Sequence, residues 1–130
     1  MAKLIHSMIR VLDLERSIRF YRDAFGLAES HRLEFPEFTL VYLRDAQSAS
    51  EIELTWNKGQ AEAYTHGSGY GHVAFCVDDL PGQQSLLRRL GYAAGDIKEL
   101  SAPGGKAHFF FTSDPDGYKI EVLQREGHYI

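Results

Sequence analysis

The sequence predicts an α+β fold made of two tandem βαβββ modules, forming a curved mixed sheet with the helices outside. Three observations carry this. A nine-residue run, His6 to Leu14 (HSMIRVLDL), recurs from His72 to Leu80 (HVAFCVDDL), so that position 72 repeats position 6 at an offset of 66. Each copy alternates like a strand and then passes through Asp and Leu into helical spacing. Each helical stretch is followed by three further strand-like runs separated by turn residues. One module alone could not enclose a core, whereas two together can.

The elements follow in order. In the first module, the opening strand leads to a helix over Ser17 to Phe25. Strands follow over about Leu27 to Leu33, Thr39 to Leu43 and Glu51 to Trp56. In the second, the strand from His72 leads to a helix over Gln83 to Leu90, with strands over about Asp96 to Leu100, Lys106 to Thr112 and Tyr118 to Gln124. Gly26 and Gly91 close the two helices, glycine being the residue that reverses a helix end without steric cost. Pro103-Gly104-Gly105 and Asp114-Pro115-Asp116-Gly117 read as turns. The expected organisation is one domain over residues 1–130, with a first module at about 4–57, a polar, glycine-rich linker at about 58–71 and a second module at about 72–124.

Composition narrows the function. Of 130 residues, 44% are hydrophobic and 25% charged, which is the make-up of a folded globular chain rather than a disordered one. A net charge of −4 argues against nucleic acid as a partner, since phosphate binders concentrate Lys and Arg on one face. No apolar run is long enough for a membrane span or a signal peptide, so a cytoplasmic protein acting on a small molecule is expected. Cys76, the single cysteine, has no partner for an internal disulfide and reads as a buried structural thiol.

Strand phase then places chemistry. Side chains two apart share a face, so His6, Met8 and Arg10 point one way and Ile9 and Val11 the other. His72, Ala74 and Cys76 repeat that phase. In the last strands, Glu53, Thr55 and Asn57 lie opposite Ile52, Leu54 and Trp56, and Glu121 lies opposite Ile120 and Val122. Each histidine precedes its glutamate by a similar interval, 6 to 53 and 72 to 121. One His and one Glu from each copy make a donor set of two imidazoles and two carboxylates. Such a set suits one divalent ion of the Ni, Co, Zn, Fe or Mn type. A lone His or Glu on a strand would read as a packed or solvated side chain, but the repetition at matched phase points to metal ligation by His6, Glu53, His72 and Glu121.

These residues, together with SIRFY (17–21), EIELTWN (51–57), GYGH (69–72) and DPDGYKIE (114–121), resemble glyoxalase I of the vicinal oxygen chelate superfamily from His6 to Leu123. The resemblance implies that superfamily's fold and a methylglyoxal-detoxifying isomerase acting on the hemithioacetal of a 2-oxoaldehyde and glutathione. It implies a homodimer whose metal sites lie between subunits, each site taking its two ligand pairs from different chains. The short chain length resembles the members that prefer nickel or cobalt. Glu121 corresponds to the principal base and Glu53 to the carboxylate serving the opposite face of the substrate. Arg10 and Asn57 match contacts to the glutathione part. A proton moved between adjacent carbons needs a base, and the enediolate on the way needs a positive centre near both oxygens.

Some positions depart from the family pattern. Ser68 stands where eukaryotic relatives carry arginine, and Lys106 follows the glycines of its loop instead of preceding them, so the thiol's carboxylates would be held differently. His31, His66, His108 and His128 have no place in the repeat and are expected at the surface or in loops. Trp56 and Phe109 to Phe111 are expected to pack in the core or an interface. Two alternatives remain: another metalloenzyme of the superfamily, such as an extradiol dioxygenase or thiol transferase, and a metal-free small-molecule binding module. The first would need only three protein ligands, so Glu53 speaks against it; the second typically lacks His and Glu at the ligand positions.

Overall fold

A computed structural model describes residues 1–130. The chain divides into two compact units, Met1–Thr65 and His66–Ile130. The first holds β1 (His6–Arg10), α1 (Leu14–Phe25), β2 (Ala28–Glu34), β3 (Phe38–Arg44) and β4 (Glu51–Asn57). The second holds β5 (Val73–Val77), α2 (Leu80–Arg89), β6 (Lys98–Ala102), β7 (Gly105–Ser113) and β8 (Lys119–Gln124). Each unit is therefore a βαβββ module with its own mixed four-stranded sheet, ordered β1-β4-β3-β2 and β5-β8-β7-β6. First and last strands run parallel at the sheet edge, and the other neighbours are antiparallel. This connectivity sets each module's opening strand, with its histidine at or just before the start, against the strand that carries its glutamate. No helix is long and apolar enough to cross a membrane.

Both helices begin three residues earlier than the apolar spacing suggests. The cause is capping: the Asp13 carboxylate accepts the Arg16 N–H at 3.1 Å and the Asp79 carboxylate accepts the Gly82 N–H at 3.0 Å. Each satisfies an amide that the first turn leaves without a partner. At the other ends Gly26 (φ 72°) and Gly91 (φ 86°) adopt the left-handed backbone that stops the helix. In α2 the reversal is held by the N–H of Gly91 on the Arg88 carbonyl and that of Tyr92 on Leu87.

The alternation of each last strand is fixed from its apolar side. Ile52 and Leu54 are 6% and 0% exposed, Ile120 and Val122 1% and 0%. They join Ile9, Val11, Phe20, Tyr21, Val41 and Leu43 in the first unit, and Leu80, Leu87 and Phe110 in the second. A slip of one residue would bury Glu53 or Glu121 and expose these anchors, so the core itself aims the carboxylates to the other face. The turn before β8 adds a second constraint. The buried Asp114 side chain accepts the N–H groups of Asp116 and Tyr118, both at 2.9 Å, and Gly117 turns the chain at φ 86°.

Candidate functional site

Each unit brings its histidine and glutamate together. In the first, His6 Nε2 lies 2.7 Å from Glu53 Oε2; in the second, His72 Nε2 lies 3.2 Å from Glu121 Oε2. The side chains are partly accessible, 29% and 12% for the first pair and 39% and 18% for the second. His72 stands one residue before β5 rather than inside it. Neither unit by itself gathers three or more His, Cys, Asp or Glu side chains that could hold a metal ion. An imidazole nitrogen and a carboxylate oxygen converging in each unit fit a borderline-to-hard divalent cation, as two half-sets of two donors.

An aromatic ring stands beside each pair. Tyr42 faces Glu53 across β3 and β4, with its ring edge-on to His6 at 5.6 Å and 68°. Phe111 faces Glu121 across β7 and β8, edge-on to His72 at 5.7 Å and 64°. Nothing in the sequence marks Tyr42, and Phe111 reads there only as core or interface packing, although the two lie at matching places in the third strands of their modules. Burial pushes the Tyr42 phenol pKa up, aided by the charge of Glu53, a side-chain hydrogen bond to it and the charge of Glu51. Glu51 is itself tied aside by the Ser30 hydroxyl and by Arg44 Nε at 3.3 Å, and these hold its carboxyl below the usual range, the Ser30 bond foremost. At the matching position in the second unit stands Lys119, whose ammonium lies 3.9 Å above the Phe111 ring.

Arg10 and Asn57 lie where strand phase puts them, on the face of His6 and Glu53. Arg10 is exposed at the end of β1, and the Asn57 amide donates to the Tyr64 hydroxyl at 3.2 Å. Ser68 and Lys106 are exposed, Lys106 reaching Glu99 at 3.8 Å.

One expectation needs correction, that of a buried Cys76. Cys76 is half-buried, packed beside Ala107, Phe109 and Leu123 on the Glu121 face. His108 lies at the surface as expected, partly exposed in β7, its ring bridging Glu126 at 2.6 Å and Glu99 at 3.0 Å. His66 stacks on Tyr118 at 4.1 Å, and beside it the Tyr70 hydroxyl donates to the Lys119 carbonyl at 3.2 Å. His31, exposed as expected, lies in β2 with its ring 6.1 Å from Tyr42. These contacts join residues remote in sequence, which no local pattern marks.

Comparison with known proteins adds to this geometry. Residues 3–122 match the Glyoxalase/Bleomycin resistance protein/Dioxygenase superfamily. The chain is 42% identical to the lactoylglutathione lyase of Haemophilus influenzae over 130 residues, covering 95% of this chain and 93% of that one. It is 38% identical to the lactoylglutathione lyase of Salmonella typhimurium over 128 residues, covering 94% and 92%. Among solved structures, the trypanothione-dependent glyoxalase I of Leishmania major superposes with a TM-score of 0.77 at 34% identity, covering 95% of this chain and 87% of that one. Glyoxalase I of Zea mays superposes with a TM-score of 0.83 at 29% identity, over 96% of this chain and 45% of that longer one.

Proposed function

The chain belongs to the glyoxalase/bleomycin resistance protein/dioxygenase superfamily, and from that membership we infer that it isomerises the methylglyoxal–glutathione hemithioacetal to S-lactoylglutathione. The observation that carries the reading is the duplicated His–Glu pair, its glutamates opposite the buried apolar side chains of their strands. His6 and Glu53 of one copy, with His72 and Glu121 of a second, would hold one divalent ion, nickel or cobalt before zinc, iron or manganese. The working unit is then a homodimer, and its compartment the cytoplasm, where the thiol is kept reduced. When bound, the ion supplies Lewis acidity that lowers the cost of removing a carbon-bound proton.

The chain's own groups do the rest. Glu121 takes the proton from the hydroxyl-bearing carbon and returns it to the neighbouring carbonyl carbon. The hydroxyl proton passes to the former ketone oxygen, so the first carbon ends as the thioester carbonyl and the second as the carbinol. Glu53 serves the opposite face of the substrate. Arg10 offers a guanidinium to a carboxylate of the thiol, and Asn57 offers its amide beside it.

The test is formation of the thioester from methylglyoxal and glutathione by apo protein supplied with Ni, Co, Zn, Fe or Mn in turn. Turnover that requires added metal and is greatest with Ni or Co is expected. Failure of every metal to support it would overturn the reading.

A further inference from the structure

The two His–Glu pairs are built on one plan but held differently. In the first unit the pair is closed to 2.7 Å, and the residue facing Glu53 from β3 is a tyrosine, which adds a hydroxyl to the aromatic wall. In the second the pair is open to 3.2 Å and more accessible, and the residue facing Glu121 from β7 is a phenylalanine. The rings meet their histidines in nearly the same edge-on geometry, so the hydroxyl is the chemical difference between the two walls. A hydroxyl donated to a carboxylate fixes its direction and favours one rotamer, whereas a ring edge of similar shape does neither.

We propose that the residue facing each carboxylate decides which of the two can move. Tyr42 is a positioning residue whose hydroxyl holds Glu53 beside His6, and Phe111, lacking one, leaves Glu121 free to swing between metal and substrate. This rests on the isomerase reading above. The placement of Tyr42, directly opposite Glu53 in the sheet with its ring edge-on to His6, is the observation the proposal turns on. The cation over Phe111 belongs to the same arrangement: Lys119 is occupied by the ring face, which keeps that ring in place as a wall.

The experiment exchanges the hydroxyl. Co(II) affinity, the visible spectrum of the Co(II)-loaded protein, and kcat and KM for the hemithioacetal are measured for Tyr42→Phe and Phe111→Tyr, with circular dichroism as the folding control. Tyr42→Phe keeps the ring and should weaken Co(II) binding about tenfold, as loss of a hydrogen bond to a metal-ligating carboxylate does. Phe111→Tyr should tether Glu121, lowering kcat about tenfold or more with KM unchanged, Co(II) affinity kept or raised and the Co(II) spectrum shifted. Wild-type kcat in Phe111→Tyr would overturn the proposal, as would wild-type Co(II) affinity in Tyr42→Phe. If metal-loaded wild-type protein fails to isomerise the hemithioacetal, the functional reading falls instead, and the Co(II) affinities still decide whether Tyr42 holds Glu53.

Discussion

The two units share a backbone plan and differ in what surrounds their carboxylates. Around Glu53 the face is polar: Arg10, Thr55 and Asn57 share its phase, and Glu51 stands two residues before it. Around Glu121 the matching places hold Cys76 and Leu123, with the charged Lys119 at the start of β8 and Arg125 just past its end, and with Phe109 and Ala107 buried beside Leu123. Duplication thus preserved the donors and let the setting diverge. A polar face can hold charged parts of a substrate, while an apolar one strengthens electrostatic interactions at the carboxylate beside it. Two glutamates of one chemical kind can then serve unequal roles.

The largest expected effect tests that inequality directly. Glu121→Gln keeps size and a coordinating oxygen but cannot accept a proton, and should lower kcat by about a hundredfold or more. Glu53→Gln should cost clearly less in kcat. Equal losses in the two variants, measured with metal content matched, would break the comparison.

Loss of an imidazole should be symmetrical. His6→Ala and His72→Ala each remove one donor, and each should lower bound Ni or Co after dialysis, the first unit's pair being no more dispensable than the second's. Elemental analysis finding either variant as fully loaded as wild type would remove that histidine from the ligand set. Sedimentation with and without metal tests the dimer alongside, since ligands drawn from two chains couple metal binding to association.

A smaller effect sharpens the contrast of polar and apolar faces. Arg10→Ala should raise KM for the hemithioacetal about tenfold with kcat little changed, the worth of one charge-assisted hydrogen bond made equally in ground and transition states. Cys76→Ser, at the matching place, should leave KM alone. Steady-state kinetics with both variants decides it.

The smallest effect concerns stability and belongs to the second unit alone. His108 has a pKa raised above 6.5, first by its hydrogen bond to Glu126 and then by that to Glu99, against an opposing cost of desolvation. Groups facing it also include Lys106, which reaches Glu99 from β7. Because the folded value is the higher one, the ring's charge-assisted contacts stabilise fully below 6.5. They are lost as pH rises through the folded value. The melting temperature of wild type should fall slightly over that window relative to His108→Gln. Parallel melting curves across it would show that the bridge contributes nothing.

Much of this was legible in the sequence because it depends on period and repetition. Alternation in EIELTWN and YKIEVLQ put Glu53 and Glu121 opposite apolar neighbours, and the offset between His6 and His72 announced two copies of one module. Both are local properties of a strand, whose side chains alternate whatever the rest of the chain does. The helix starts could have been placed better from Asp13 and Asp79, whose capping role is also local. What tertiary structure decided is which side chains meet across strands. The facing of Tyr42 on Glu53 and of Phe111 on Glu121 depends on β-sheet register. The bridge of His108 to Glu99 and Glu126 depends on where β6 and the C-terminal segment fold back. Register follows from how buried side chains such as Val41, Leu54, Phe110 and Val122 fit together, and that fit is a property of the packed core rather than of any segment's own periodicity.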